Sequence, residues 1–184
     1  MGSSAGRALV VHCHPSGTIE PGPQDGSSTL RSGSVHLWYA PLDHLRTRME
    51  ALRELLDPVE QDRMARFRFE HDRERFVIGH GLLRELLGRY LQRDGSLVRI
   101  ARGPFGKPYL ERKALRFNMS DTKDAILIGF TLGMEIGVDI ETTARNVDHE
   151  AVGRHYFTPA EIRSITDAGD HARLRFLEFW TRKE

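Results

Sequence analysis

The sequence predicts an α+β fold, and three observations predict it. Apolar residues recur at helical spacing through the first half, short apolar runs broken by glycine and proline fill the middle, and helical spacing returns at the end. With 184 residues the chain can bury a sizeable core. Its 39% hydrophobic and 29% charged residues mark an ordinary globular composition.

Residues 15–34 are rich in Pro, Gly and Ser and nearly free of large apolar groups, so residues 1–34 are expected to form a flexible leader. Val35 to Ala40 reads as the first strand. Leu42, Leu45, Met49, Leu52, Leu55 and Leu56 follow helical spacing, and Asp57-Pro58 ends that helix and starts another as N-cap and N1. A longer helix carries Phe76, Leu83, Leu87 and Tyr90 on one stripe. Leu97 to Ile100 is expected as a strand, with turns imposed by Gly103, Pro104, Gly106 and Pro108. Phe117 to Met119, Ala125 to Phe130 and Met134 to Ile140 read as three more strands. Thr158-Pro159-Ala160-Glu161 reads as a capping box with Pro at N1, and a final helix runs from about Ala172.

Several function classes are disfavoured by composition. Lys+Arg 27 against Asp+Glu 26 leaves a net charge of +1, so bulk charge does not point to a nucleic-acid partner. Cys13 is the single cysteine and cannot form an internal disulfide. No apolar run approaches the roughly 20 residues of a membrane span, and the apolar stretch near the start is too short for a signal peptide. A cytoplasmic protein without a membrane partner is the expectation.

Gly137-Val138-Asp139-Ile140-Glu141 is the most informative local stretch. In a strand, Asp139 and Glu141 share one face and Val138 and Ile140 the other. Two carboxylates side by side repel unless a cation sits between them, and hard oxygen ligands suit Mg²⁺. Spacing alone also describes an amphipathic strand with a solvated acidic face, and on its own favours it. Phe176, Trp180 and Glu184 follow i, i+4, i+8, so Glu184 extends a line of aromatics; fraying at a chain end is the blander reading. Gly103 to Pro108 is a turn presenting Lys107, preceded by Arg102, which suits a phosphate but also describes an ordinary proline turn. It is not a Walker loop. Arginines and acidic residues alternate over 60–75, the pattern of a solvated helix face. His12-Cys13-His14 has no metal-site context, and Ser120 lacks the setting of a nucleophile elbow.

In order along the chain, Gly106-Lys107-Pro108, Phe117-Asn118-Met119-Ser120, Gly137-Val138-Asp139-Ile140-Glu141, Phe157-Thr158-Pro159-Ala160-Glu161 and Phe179-Trp180-Thr181-Arg182-Lys183-Glu184 resemble the motifs of the 4′-phosphopantetheinyl transferases of the surfactin-synthetase-activating type. Asp57-Pro58 through Phe67 and Gly81 to Arg84 also resemble that family's first lobe. The likeness covers about residues 35–184.

The resemblance implies two similar α+β lobes forming a pseudo-dimer, with coenzyme A in the cleft between them. The expected division is an N-terminal lobe over 35–110 and a C-terminal lobe over 111–184. It implies Mg²⁺ held by Asp139, Glu141 and Glu184. Lys107, Arg63 and Arg102 are implied at the phosphates of the nucleotide end, with Ser120 and Asp121 at the 3′-phosphate and Arg75 as a further candidate. The implied reaction transfers 4′-phosphopantetheine from coenzyme A to a serine of an apo acyl or peptidyl carrier protein, with Glu184 and Lys107 in catalytic roles and a monomer as the working unit. The contrasting expectation is a non-catalytic coenzyme A-binding module. Two departures bear on it. Asp121 stands where the family usually has histidine, and the chain ends at Glu184, where the family continues with a lysine one helical turn on and further strands. The second lobe is therefore expected to be incomplete.

Overall fold

A computed structural model describes residues 30–111, 113–144 and 149–183 of the chain. Most of the expected leader, with Cys13 and its flanking histidines, lies outside the described residues, as does Glu184. Contacts divide the rest into two compact units, 15–140 and one containing 141–184. The division expected near residue 110 falls inside the first of these.

The first unit begins with β1 (Val35–Pro41), followed by α1 (Leu42–Leu45), a 3-10 turn (Arg46–Arg48) and α2 (Met49–Arg53). The sequence predicts one helix here. No Gly or Pro lies between Leu42 and Arg53, so the interruption is set by packing rather than by a local breaker. α3 (Pro58–Ala65) starts at Asp57 as expected, with a reciprocal capping box to Glu60 and Pro at N1. α4 (Glu70–Leu91) is the long central helix and ends on Gln92 in the left-handed region, φ 52°. Gly81 lets α2 approach α4 closely: a Cβ there would lie 2.4 Å from the Leu52 carbonyl oxygen.

Leu97 to Ile100 is not a strand; a 3-10 turn (Gly95–Leu97) precedes an irregular stretch, and only β2 (Ala101–Arg102) pairs with β3 (Pro108–Tyr109). β4 (Leu115–Asp121) and β5 (Ala125–Leu132) form a hairpin and join β1 in an antiparallel sheet of order β1-β5-β4. Alternation along these strands sends Ala40, Phe117, Ile126, Ile128 and Phe130 to one face, where they are buried with Ile78, Leu82, Leu83 and Leu86 of α4. The opposite face presents Leu37, Gly129, Arg116, Asn118 and Ser120 in register.

One charged group lies wholly inside this core. Arg84 is fully buried, donating to the carboxylates of Asp57 and Glu60 and to the Gly95 and Val98 carbonyls at 3.3 and 2.9 Å. Two acids and two carbonyls satisfy a guanidinium that would otherwise be prohibitive to bury. His80 contacts the second Glu60 oxygen at 2.9 Å. Burial would push the Glu60 carboxyl up, but the hydrogen bonds from His80 and Arg84 outweigh it and hold it below its ordinary range.

The second unit contains α5 (His149–Tyr156), α6 (Pro159–Thr166) and α7 (Ala172–Trp180). Thr158 and Glu161 close the predicted capping box. Phe157, Phe176 and Leu177 form its core; Phe176 and Trp180 stack 6.1 Å apart on one face of α7. Lys183 reaches Glu161 at 3.1 Å and lies over the Phe157 ring. No helix among the described residues is long and apolar enough to cross a membrane.

Candidate active site

Met134 to Ile140 does not form the predicted strand. It is extended but takes no place in a ladder, and side chains of β4 satisfy its backbone instead. Arg116, Asn118 and Ser120 alternate on the outer face of β4. Arg116 Nε contacts Glu135 Oε1 at 3.0 Å, Asn118 Oδ1 accepts from Val138 N at 2.8 Å, and Ser120 Oγ accepts from Ile140 N at 3.3 Å. Three residues of one strand thus hold a parallel segment by its charges and amides, with no backbone pairing. The segment sits tight on the sheet because β5 has Gly129 beneath it: a Cβ there would fall 2.6 Å from Val138 and 2.8 Å from Ile136.

Ser120 does a second thing. Its hydroxyl donates to Asp139 Oδ1 at 2.8 Å, while Asp139 Oδ2 is buried with no hydrogen-bond partner among the described residues. A buried, unpaired carboxylate oxygen is costly unless a cation meets it. Among the described residues no three His, Cys, Asp or Glu side chains gather as a metal cage. Mg²⁺ does not require one, since it keeps waters and takes one or two carboxylates with substrate phosphate oxygens. Asp139 therefore fits a hard divalent cation. Glu141, two residues on, is part-buried in the second unit.

The other end of the segment is held by Lys107. The Gly103–Lys107 turn is closed by Gly106 N to Gly103 O and Gly103 N to Lys107 O, both 2.9 Å, with Gly106 at φ 78°. Lys107 Nζ donates to the Ile136 carbonyl at 3.1 Å and meets Glu135 at 3.3 Å. Lys107 and Asp139 are thus joined through one short extended run, Ile136 to Asp139, spanning about 10 Å. Lys107, Lys113, Arg116 and Glu135 line a cleft of about 360 Å³.

Arg102 braces the turn, donating to the Gly106 carbonyl at 3.1 Å. Arg63 lies over the Phe76 ring, 5.1 Å from its centroid. Asp121, on the face of β4 opposite Ser120, pairs with Arg75 Nε at 2.8 Å, and Arg75 also donates to Asp72 at 2.8 Å. Arg116, Asn118, Glu135 and Gly129 carry no role in the motif reading. Their signals were the polar alternation Arg116, Asn118, Ser120 against Leu115, Phe117, Met119, and a lone glycine inside the apolar run of β5.

Comparison with known proteins matches both parts of the chain. Residues 43–130 match the model for "4′-phosphopantetheinyl transferase, N-terminal", and residues 135–184 that for "4′-phosphopantetheinyl transferase superfamily". The chain is 32% identical to the 4′-phosphopantetheinyl transferase HetI of Nostoc sp., over 88% of this chain and 70% of that protein. It is 30% identical to a phosphopantetheinyl transferase of Thraustochytrium sp., over 79% of this chain and 55% of that one. With the 4′-phosphopantetheinyl transferase Sfp of Bacillus subtilis it shares 26% identity, over 73% of this chain and 60% of Sfp. The chain thus spans 55–70% of the length of these relatives. On the strength of both family matches and the likeness to HetI, this chain belongs to the 4′-phosphopantetheinyl transferase superfamily.

Proposed function

We propose that the chain acts as a monomeric, cytoplasmic enzyme of the Sfp type, moving 4′-phosphopantetheine from coenzyme A to a serine of an apo acyl or peptidyl carrier protein. The observation that carries this reading is Asp139: one oxygen is fixed by Ser120 and the other is buried and unpaired, in a segment whose far end is tied to Lys107. In the reaction the serine hydroxyl attacks the β-phosphate of coenzyme A. The new bond is serine O–P, the bond to the bridging oxygen breaks, and adenosine 3′,5′-bisphosphate leaves. The serine proton passes to a base, a role we assign to Glu184, outside the described residues. Asp139, Glu141 and Glu184 would hold Mg²⁺, which supplies charge neutralisation at the pyrophosphate when bound. Lys107 places a compact positive charge where the departing nucleotide gains negative charge. Arg102 keeps the Lys107 turn closed, Arg63 and Ser120 complete the proposed nucleotide-binding set, and Asp121 stands beside it as an anion paired with Arg75. The lobes over 35–110 and 111–184 remain our proposal for a pseudo-dimer with coenzyme A between them.

The test is a transfer assay with apo-carriers of fatty-acid, polyketide and peptide synthesis, coenzyme A and Mg²⁺, read by intact mass. Gain of the arm, lost on chelation and in Asp139→Ala, is the expected result. Coenzyme A binding without transfer to any carrier would leave a non-catalytic binding module.

A further inference from the structure

Glu135 is held in a way that the reaction above does not use. It follows the exposed Gly133-Met134 turn after β5, where Gly133 takes φ 72°, and its side chain is 73% exposed. Yet its two oxygens go to two different cations: Oε2 to Lys107 Nζ at 3.3 Å and Oε1 to Arg116 Nε at 3.0 Å. Lys113 lines the same cleft, beside Tyr109 and Phe117. An anion with one oxygen on each of two cations has the footprint of a phosphate between them. The hydrogen bond from Lys107, with that from Arg116, holds the Glu135 carboxyl below its ordinary range, so it is ionised wherever the protein is folded near neutral pH.

We propose that Glu135 is an internal competitor: in the free protein its carboxylate occupies the place between Lys107 and Arg116 that a phosphate group of the nucleotide substrate takes. This rests on the reading of coenzyme A as substrate, and it adds Arg116 as a phosphate-binding residue. Exposed ion pairs are weak, so a phosphate with two negative charges can displace a carboxylate with one without disturbing the fold. The exposed turn gives Glu135 room to swing out. Glu135 keeps the cations paired in the free state, and the need to displace it raises the discrimination of the cleft, because a weak or singly charged anion gains nothing over the resident one.

The experiment titrates coenzyme A and adenosine 3′,5′-bisphosphate into the full chain by calorimetry. Four variants are compared with the parent: Glu135→Gln, Arg116→Ala, the two combined, and Glu54→Gln, which removes the same charge at an exposed position outside the cleft. Glu135→Gln is expected to tighten both ligands about two- to fivefold, the size expected from freeing exposed ion pairs. Arg116→Ala is expected to weaken both and to cancel the Glu135→Gln gain. Equal affinity in Glu135→Gln and parent, an equal gain in Glu54→Gln, or a gain that survives Arg116→Ala overturns the proposal. If the parent binds neither ligand, binding that emerges in Glu135→Gln supports it and continued silence overturns it. Transfer to a carrier, measured on the same proteins, judges the enzyme reading separately: a Glu135 effect without transfer removes the transferase and leaves the cleft, and transfer without a Glu135 effect does the reverse.

Discussion

Ser120 Oγ donates to Asp139 Oδ1 across 2.8 Å while accepting from the amide of Ile140, so one hydroxyl orients both the carboxylate and the backbone next to it. The consequence is a carboxylate with a fixed direction. Asp139 Oδ2 faces a buried place where no hydrogen bond meets it among the described residues. Under the proposed metal assignment, such supporting contacts would limit the rotamers of Asp139 before a cation binds.

Asp139→Asn keeps the shape and the bond from Ser120 but removes the anion. Mg²⁺-dependent transfer should fall at least a hundredfold, while thermal stability stays within about 1 kcal/mol of the parent, since the contact with Ser120 is kept. Ser120→Ala should be milder in activity, about tenfold, and should raise the Mg²⁺ concentration needed for half-maximal rate. Activity of Asp139→Asn equal to the parent at limiting Mg²⁺ would remove the metal assignment.

Asp121 gives a second prediction. Burial pushes its carboxyl above the ordinary range even though Arg75 Nε lies 2.8 Å away and pulls it down. A raised carboxyl is held reluctantly in its ionised form, so its contribution to stability is present at low pH and lost as pH rises through the folded value. Asp121→Asn should therefore cost little stability near neutral pH. It also frees Arg75 from one of two anions. We expect coenzyme A to bind several-fold more tightly, with a smaller gain for dephospho-coenzyme A, which lacks the 3′-phosphate. Equal gains for both ligands would mean that Arg75 does not serve that phosphate.

What the sequence revealed, and what it hid, divides along the range of the interactions. The starts of α3 and α6 were legible because a capping box is complete within four residues, Asp57 to Glu60 and Thr158 to Glu161. The outer turn around Lys107 was legible because Gly and Pro fix it locally. The alternation of residues 134–140 predicts a strand, but their partners are side chains, Asn118 and Ser120, some twenty residues earlier. Nothing local distinguishes an amide bonded to a carbonyl from one bonded to an asparagine. Arg84 was read only as part of a family-like stretch; its complete burial depends on Asp57 and Glu60 from α3, which periodicity on α4 cannot report. Asp139 was singled out in sequence for its chemistry, but the reason its carboxylate is aimed lies in β4.

The Glu60 network makes stability depend on acid. The Glu60 carboxyl is held below its ordinary value of 4.5, chiefly by hydrogen bonds from His80 and Arg84 acting against burial. A depressed carboxyl stabilises the folded state above its unfolded value and loses that contribution as pH falls through the folded one. Urea midpoints of the parent should thus drop steeply below about pH 4.5. Glu60→Gln should be less stable at neutral pH by about 3–5 kcal/mol, because Arg84 stays buried with one carboxylate fewer. Its loss as pH falls below the ordinary value of 4.5 should be shallower than the parent's. Parallel slopes for the two proteins would assign the acid sensitivity to other groups.

Gly129 offers the sharpest separation of function from fold. Its own strand is secured elsewhere: Ile128 and Phe130 on either side are fully buried on the α4 face, and the β5 backbone pairs with both neighbours. Only the outer face would feel a methyl group, which would lie 2.6 Å from Val138 and 2.8 Å from Ile136. The far carbon of Ile136 can turn aside, but a γ-carbon of Val138 sits close to the backbone and must carry the segment with it. Asn118 and Ser120 would then lose their amides by a few tenths of an ångström, and Asp139 would move relative to the rest of its site. Gly129→Ala should cost about 1–3 kcal/mol of stability, the usual range for an overpacked contact. Transfer should fall by about a hundredfold, as expected when a ligand is displaced from its productive position. The two effects are separable because Val138→Ala removes the γ-carbon that cannot turn aside and leaves only the far carbon of Ile136, which can. In Gly129→Ala with Val138→Ala, transfer should recover toward the value of Val138→Ala alone, while Gly129→Ala by itself stays folded with the parent's circular dichroism. If Gly129→Ala loses stability but retains full transfer, the 135–140 segment is not what positions Asp139.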